Sequence, residues 1–144
     1  MLEKIINRET KLYILFGIMT TIVNFGSYIV FDKFLGEDYY LVSNIFSFII
    51  ATIFAFITNK LFVFQSMVWE WQIVMKELIS FVVARIGTFV IIEEMGLWIL
   101  VYFLKVNKVQ ILFLNGTLLA KIALSIFAVL LNYILSKFLI FKKG

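Results

Sequence analysis

Four long apolar runs, separated by short polar breaks, dominate the pattern of the chain. They cover residues 12–31, 41–64, 78–103 and 110–141. The first two breaks read DKFLGEDYY and QSMVWEWQIVMKE, and the third is a short segment with two lysines. A helix needs about 20 apolar residues to cross a bilayer, so each run is long enough. The fourth run exceeds this length, and we expect residues 110–117 to lie at the interface or to extend the helix.

The continuity of these runs favours helices over strands. Lipid offers no hydrogen-bond partner to backbone groups, so a spanning segment is a helix or part of a closed barrel. Barrel strands alternate apolar and polar positions, whereas these runs show no such alternation, although Arg85, Glu93 and Glu94 interrupt the third run and Lys121 lies in the fourth. The pattern predicts an all-α membrane protein, with one domain over residues 1–144 and four transmembrane helices. The first run follows basic residues, but it is too long for a signal peptide and no A-x-A-like site follows it, so we predict an uncleaved helix.

The composition agrees with this prediction and limits the chemistry. The chain is 63% hydrophobic and 15% charged, and its mean hydropathy is +1.05. A soluble domain is about 45–50% apolar and about 25% charged. The chain has no Cys, His or Pro, so it lacks disulfides, the commonest metal ligand and the commonest general base. Its sequence contains no P-loop, metal-ligand cluster or nucleophile–base pair, and we predict that it is not an enzyme and needs no metal or cofactor.

Basic residues are distributed unevenly between the two predicted sides of the membrane. The side that holds both termini carries Lys4, Arg8, Lys11, Lys60, Lys76, Lys137, Lys142 and Lys143, and the other side carries Lys33, Lys105 and Lys108. Because cytoplasmic loops are enriched in Lys and Arg, this bias predicts cytoplasmic N- and C-termini. It also accounts for the net charge of +4, which therefore does not indicate a nucleic-acid partner. Trp69 and Trp71 in the middle loop are expected to be interfacial anchors.

The second and fourth runs resemble each other. Residues 42–64 and 119–141 align without gaps and share the pairs Ile45/Ile122, Ile49/Ile126, Ala51/Ala128, Ile57/Ile134, Lys60/Lys137 and Phe64/Phe141. Each ends in a polar residue and a lysine, with phenylalanine four positions later. Two helical hairpins in the same orientation would form a parallel repeat, as in transporters whose sites lie near the repeat interface. The first and third runs do not align, so the duplication is a hypothesis.

Several segments carry a resemblance to a known family. They are GIMTTIVNF at residues 17–25, FITNKLFVF at residues 56–64, Arg85, and Ala120-Lys121 followed by LNYILSKFLIF at residues 131–141. Together they resemble the GtrA-like family over nearly the whole chain. The resemblance implies a small four-helix protein of bacterial cell-surface polysaccharide synthesis, in the cytoplasmic membrane. It also implies that the protein translocates, or flips, polyprenyl-phosphate-linked sugars for polysaccharide or teichoic acid glycosylation.

Two other function classes stay open at this point. One is a non-catalytic accessory subunit of a membrane glycosyltransferase. The other is a small ion-coupled exporter of cationic compounds, which intramembrane Arg85 and Lys121 disfavour. The predicted partners are the lipid-linked sugar, membrane lipids and glycosyltransferases of the same pathway, without nucleic acid. Because four helices enclose little volume, we also expect a homo-oligomer.

Charged residues inside the apolar runs are the first candidates for substrate binding. A phosphate-linked lipid needs a cation, and Arg85 offers a fork that suits phosphate oxygens. An intramembrane ionised residue is a functional candidate by default, although Arg85 could instead pair with Glu93 or Glu94. On a regular helix Glu93 lies about 80° from Arg85 and Glu94 about 180°, so Glu93 is the expected partner. Lys121 lies in the opposite half of the membrane, where it could bind phosphate or extend to the interface.

Small polar residues are the second group of candidates. Asn44 is the repeat counterpart of Lys121, while Thr20 and Asn24 belong to a helical stripe on the first run. Asn59 and Asn132 lie near the ends of the second and fourth runs. Such residues commonly form hydrogen bonds between membrane helices, and we expect that role first and sugar contacts second.

Overall fold

The computed structural model describes residues 2–141. For some residues only the backbone is described, namely Leu2, Ile5, Ile6, Glu37, Tyr40, Leu41, Glu93, Asn107, Leu114, Asn115 and Leu118. Lys142 and Lys143, which contribute to the predicted orientation, lie outside the described residues. The chain divides into two compact units, the first extending to Val74 and including Phe141, and the second covering Met75–Ile140.

The first unit is a helical hairpin. Helix α1 spans Leu2–Leu35, a 3-10 turn follows at Glu37–Tyr39, helix α2 spans Tyr40–Thr58, and a π-helical turn covers Asn59–Val63. Gly36, whose φ of 89° favours glycine, ends α1 and lets the chain reverse. The two long runs therefore become neighbouring antiparallel helices, as their short connection requires.

Aromatic pairs align α1 with α2. Phe31 stacks on Phe46 near the 3-10 turn, with ring centroids 5.2 Å apart. Toward the other end, Phe16 stacks on Phe62 at 5.4 Å. Earlier residues of α1 thus contact later residues of the second helical segment, as expected for antiparallel helices, and these two pairs define the register. Stacked rings at these distances add to the packing of the hairpin.

Small residues form the buried face of α2. Ser43, Ser47, Ala51 and Ala55 recur at every fourth position, and each is at most 3% exposed. Residues with this spacing lie on one helix face, and small side chains there allow close packing between membrane helices. The predicted small-polar stripe on α1 is less buried, although Thr20 is 7% exposed. The hairpin therefore has a buried small-residue face on α2 in addition to the stripe predicted on α1.

One long helical segment begins at Trp71, four residues before the second unit starts at Met75. Helix α3 spans Trp71–Thr88, a π-helical stretch covers Phe89–Met95, and α4 spans Gly96–Tyr102. A 3-10 turn at Val106–Lys108 precedes strands β1, Gln110–Ile111, and β2, Leu114–Asn115. Helix α5 spans Gly116–Leu135 and continues as a π-helical turn over Ser136–Ile140. Helix α5 packs against α4 and the preceding π-helical stretch.

Of the two alternatives for residues 110–117, an interfacial segment or an extension of the helix, the extension does not hold for residues 110–115. Gln110 pairs with Asn115 and Ile111 with Leu114 in a short antiparallel hairpin. The Gly116 N–H then donates to the Val109 carbonyl, at 2.6 Å between the two heavy atoms. A Cβ on Gly116 would lie 1.7 Å from the Val106 carbonyl oxygen, so this approach requires glycine. The backbone contacts of Gly116 therefore fold the turn back and delay the start of the helix.

Three helical segments in the described part of the chain are long and apolar enough to cross a membrane. They are Asn7–Leu35, Val42–Val63 and Leu119–Ile140. The third predicted span is not among them, because α3 and the following π-helical stretch carry Lys76, Glu77, Arg85, Glu93 and Glu94. The protein is an all-α multi-pass membrane protein, and the fourth crossing stays a prediction.

Candidate functional site

Arg85 lies in the last turn of α3, within an apolar stretch of the second unit. Its guanidinium carbon lies 5.1 Å from the centroid of the Phe81 ring, one helical turn earlier. Phe81 is buried, with 3% of its side chain exposed, whereas Arg85 is only partly buried. A cation above an aromatic face is attracted to it, and this attraction strengthens away from water. The ring thus supports one face of a guanidinium whose side chain is still partly accessible.

A hydrogen-bond chain connects the Arg85 turn to α5. The Thr88 hydroxyl lies 3.0 Å from the Arg85 carbonyl oxygen, to which it can donate. The Asn132 Nδ2 donates to the Thr88 Oγ1 at 2.9 Å. Thr88 is buried, at 6% exposure, so the amide and hydroxyl satisfy each other away from solvent. Asn132 therefore forms the expected interhelical hydrogen bond, and this bond holds the Arg85 turn against α5.

Lys121 shares a face of α5 with Asn132. The two are eleven positions apart on a regular helix, which places them about 20° apart around the axis and about 16 Å apart along it. Lys121 is exposed and Asn132 is partly buried. Ser125 and the buried Ala128 lie between them on the same face. The α5 face from Lys121 to Asn132 thus presents small or polar positions and ends beside the Arg85 turn.

The predicted pairing of Arg85 with Glu93 lies outside the described residues, because only the backbone of Glu93 is described. The expected angle of about 80° between Arg85 and Glu93 applies only to a regular α-helix. Phe89–Met95 is π-helical, with wider turns than an α-helix, so angles calculated at 100° per residue do not hold beyond Thr88. Glu94, the other candidate, is exposed.

In the part of the chain that the structure describes, Asn59 does not form the interhelical hydrogen bond that was predicted for it. It lies in the π-helical turn after α2, and its Nδ2 donates to the Ala55 carbonyl oxygen at 2.7 Å. This bond lies within its own helical segment, so the expected interhelical bond is not the one observed. Asn59 is 4% exposed, and its Oδ1 has no hydrogen-bond partner among the described residues. Such an unsatisfied buried oxygen is unusual and marks Asn59 as a candidate for contact with a donor.

The remaining candidates belong to the helices of the first unit, whereas Arg85 belongs to α3. Thr20 donates to the Phe16 carbonyl oxygen of its own helix at 2.7 Å. Asn24 is partly buried on α1, and Asn44 is exposed near the start of α2. The structure therefore joins Arg85 and Asn132 through Thr88 and leaves Thr20, Asn24, Asn44 and Asn59 on the first hairpin.

Lys60 was not among the predicted site residues, but the structure gives it an unusual environment. It is fully buried, and its Nζ donates to the Ser66 Oγ at 3.1 Å and lies 5.2 Å from the centroid of the Trp69 ring. Gln65, with φ of 54°, ends the helix. The Ser66 N–H then donates a hydrogen bond to the Lys60 carbonyl oxygen, at 2.9 Å. A buried ammonium requires such partners because it has left water. The repeated ending shared by Asn59-Lys60 and Ser136-Lys137 was the signal that marked it.

Lys137 sits in an equivalent local setting in the second unit. Like Lys60 it belongs to a π-helical turn that ends a long helix. Its Nζ lies 3.4 Å from the Tyr133 hydroxyl oxygen, 5.6 Å from the Tyr133 ring centroid and 6.0 Å from the Phe138 centroid. The two similar segment endings thus both combine a π-helical turn, a lysine and aromatic contacts.

Comparison with known proteins identifies relatives over almost the whole chain. Residues 12–141 match the GtrA/DPMS transmembrane domain. The uncharacterized membrane protein YwcD of Bacillus subtilis (strain 168) is 35% identical over 132 residues, which cover 92% of this chain and 95% of that protein. The cell wall teichoic acid glycosylation protein GtcA of Listeria monocytogenes is 34% identical over 131 residues, covering 91% of this chain and 83% of GtcA. No solved structure matches the chain. The chain belongs to the GtrA/DPMS transmembrane-domain family.

Proposed function

We propose that this protein flips a sugar linked to a polyprenyl phosphate across the bacterial cytoplasmic membrane, where the sugar then serves glycosylation of a cell-wall polymer such as teichoic acid. The name of the relative GtcA refers to cell wall teichoic acid glycosylation, which supports the pathway. The translocation step rests on one observation. Arg85 lies in the last turn of α3, among apolar neighbours, and its turn is held beside α5 through Thr88 and Asn132.

The phosphate explains why a cation is needed in this position. A phosphate that enters hydrocarbon without a partner loses its hydration, which is highly unfavourable. The planar guanidinium of Arg85 can donate two parallel hydrogen bonds to phosphate oxygens. Phe81 and the Thr88–Asn132 bond restrict the position of the Arg85 turn, so little order has to be gained on binding. Arg85 would receive the phosphate from the cytoplasmic leaflet.

Lys121 provides the second cation. It lies on the same face of α5 as Asn132, about 16 Å along the helix axis. A headgroup that follows this face would move from Arg85 to Lys121 past small and polar positions, while its hydrocarbon chain stays in lipid. The movement would carry the phosphate from one half of the bilayer to the other. Glu93 would either pair with Arg85 or line the path.

The accessory-subunit role is the second candidate, and a basic groove favours it. The groove lies at the start of α1, has a volume of about 470 Å³, and is lined by Lys4, Asn7, Arg8 and Lys11 among others. When the Gln65 side-chain amide is oriented with its oxygen toward Arg8, the Arg8 guanidinium donates two hydrogen bonds to that oxygen, at 3.0 and 3.1 Å. These bonds connect the groove to the loop after α2. On the predicted cytoplasmic side, such a surface could contact an acidic region of a glycosyltransferase.

Cell-surface glycosylation in a strain that depends on this chain separates the two roles. Arg85→Ala should abolish glycosylation while the protein still inserts, and Arg85→Lys should restore part of it because a point charge lacks the fork. Lys121→Ala should reduce glycosylation less, since Lys121 is exposed. Lys33→Ala, at another exposed lysine, is the matched control and should have no effect.

Two further outcomes complete this experiment. If Arg85 only pairs with Glu93 for stability, Arg85→Ala and Glu93→Gln should both lose folded protein. If Arg85→Ala inserts normally and glycosylation is unchanged, the phosphate role is wrong and the accessory-subunit role replaces it. The purified chain should transfer no sugar to an acceptor by itself, whichever of these two roles holds.

A further inference from the structure

A groove of about 630 Å³ lies at the end of α4, well after Arg85 in the chain. Glu94, Trp98 and Tyr102 line it from one helix face, at every fourth position. Lys105, with φ of 52°, stops the helix and turns the chain. The following 3-10 turn places Lys108 in the lining as well. The groove is therefore built by local structure of the second unit alone.

The floor of the groove is aromatic and open to a ligand. The rings of Trp98 and Tyr102 are nearly parallel, with centroids 5.4 Å apart and an interplanar angle of 6°. Phe103 meets both rings edge-on, at 5.9 Å from Trp98 and 5.3 Å from Tyr102. Trp98 is nonetheless 59% exposed and Tyr102 66% exposed. Phe103 thus supports the Trp98 and Tyr102 rings at their edges and leaves flat apolar surface exposed. Such a surface suits the C–H face of a sugar ring.

The charges around this floor match the other groups of a sugar phosphate. The ammonium groups of Lys105 and Lys108 can bind phosphate oxygens by charge-assisted hydrogen bonds. The exposed carboxylate of Glu94 can accept hydrogen bonds from sugar hydroxyls. Aromatic rings and lysines alone would also serve as an interfacial anchor, and the Glu94 carboxylate adds a hydrogen-bond acceptor that suits sugar hydroxyls.

We propose that this groove, defined by Glu94, Trp98, Tyr102, Lys105 and Lys108, binds the sugar and phosphate of the translocated lipid on the outer side of the membrane. The proposal rests on the proposed function for the identity of the lipid, and on the predicted orientation for the side. The groove is separate from the Arg85 site, and it would hold the headgroup after the crossing. Sugar specificity would then reside here, since the Arg85 turn recognises chiefly the phosphate.

Direct binding to the purified full-length chain in lipid nanodiscs tests the groove. Trp69→Phe and Trp71→Phe leave Trp98 as the single tryptophan of the chain, and its fluorescence reports the groove. The probes are the 1-phosphates of glucose, galactose and N-acetylglucosamine. At least one should give a saturable change. Tyr102→Ala should weaken it by about tenfold and Tyr102→Phe should preserve it, because the ring is what stacks.

Charge variants and simpler ligands test the assignment of each part. Lys105→Gln with Lys108→Gln should weaken binding by about tenfold or more, as expected for lost charge-assisted hydrogen bonds. Lys33→Gln, an exposed lysine outside the groove, should leave binding unchanged. The free sugar or inorganic phosphate alone should bind much more weakly than the sugar phosphate. An equal response to phosphate alone, or to nanodiscs enriched in phosphatidylglycerol, would overturn the proposal in favour of an anion or membrane contact.

Two comparisons separate this proposal from the proposed function. Arg85→Ala should still bind the sugar phosphate in the groove although it no longer supports glycosylation. If the wild-type chain binds the sugar phosphate but moves no lipid between leaflets, the translocation proposal fails and the groove stands. If it moves the lipid but Trp98 responds to none of the three probes, the groove proposal fails and translocation stands.

Discussion

Phe64 stacks on Phe141, with ring centroids 5.4 Å apart and planes inclined by 15°. These phenylalanines end the two similar segments of the sequence, and each follows a π-helical turn with a lysine. Both side chains are buried, at 2% and 1% exposure, and Phe141 also packs against Phe56 at 5.6 Å. The shared ending is therefore an aromatic cluster within the first unit, and it gives a physical reason for a phenylalanine at both positions.

Truncation of either ring should destabilise the protein. Phe64→Ala and Phe141→Ala should each lower the free energy of unfolding by about 3 kcal/mol, because each removes a buried ring and leaves a cavity. Phe34→Ala, at a position 83% exposed, is the matched control and should change it little. Thermal unfolding in detergent measures this difference. Equal melting temperatures for all three variants would show that the stacked pair does not stabilise the fold.

Lys60 should hold the loop after α2 in place. Lys60→Met keeps the length of the side chain but removes the donor to Ser66 and the cation near Trp69. We expect faster hydrogen exchange at the amides from Ser66 to Glu70, because this loop loses a buried polar contact. Lys76→Met, at an exposed lysine, should leave exchange in that loop unchanged. Unchanged exchange in Lys60→Met would contradict a role for Lys60 in ordering the loop.

The sequence predicted the helical class and most helix positions because continuous apolar runs have few alternatives in lipid. It did not predict the π-helical turns, since a run of apolar residues carries no sign of one extra residue per turn. As a result, the angle of about 80° expected between Arg85 and Glu93 does not apply, because it was calculated for a regular α-helix. The hairpin before α5 was also missed, because it depends on the close approach of Gly116 to Val106.

The sequence selected individual candidate residues, but it did not predict the contacts that connect them. Arg85 and Asn132 were both selected, yet the bond that joins their helices passes through Thr88, which the sequence analysis did not select. A threonine in an apolar helix is common, and only the register between α3 and α5 shows which one meets an asparagine. The full burial of Lys60 likewise depends on how the next loop folds over it.

The Thr88–Asn132 bond should be measurable as a coupling between two helices. Thr88→Val and Asn132→Ala, alone and together, should give an interaction energy of about 0.6 kcal/mol and at most about 1.7 kcal/mol, the average and the largest coupling found by double-mutant cycles between membrane helices. Thr88→Ser keeps the hydroxyl and should retain the coupling. Unfolding of the four variants in detergent supplies the cycle. Additive effects of the two substitutions would contradict a direct bond.

The orientation of the chain in the membrane can be measured by cysteine labelling, because the natural sequence contains no cysteine. Single cysteines at Asp38 and Lys76, both exposed positions, should react with an impermeant reagent from opposite sides of the membrane. We expect Asp38→Cys to label in intact cells and Lys76→Cys only after the membrane is opened, since the bias in Lys and Arg predicts cytoplasmic termini. Labelling of both in intact cells would contradict that orientation.

Leaflet exchange in liposomes tests the proposed translocation most directly. The purified chain is reconstituted alone with a fluorescent polyprenyl-phosphate sugar, and a membrane-impermeant quencher is added outside. Wild-type protein should expose the probe of both leaflets to the quencher. Arg85→Ala should slow exchange by about tenfold or more, as expected for loss of a charge-assisted hydrogen bond to phosphate, and Lys33→Ala should not. If wild-type liposomes protect the inner-leaflet probe as well as protein-free liposomes do, the chain does not translocate this lipid by itself.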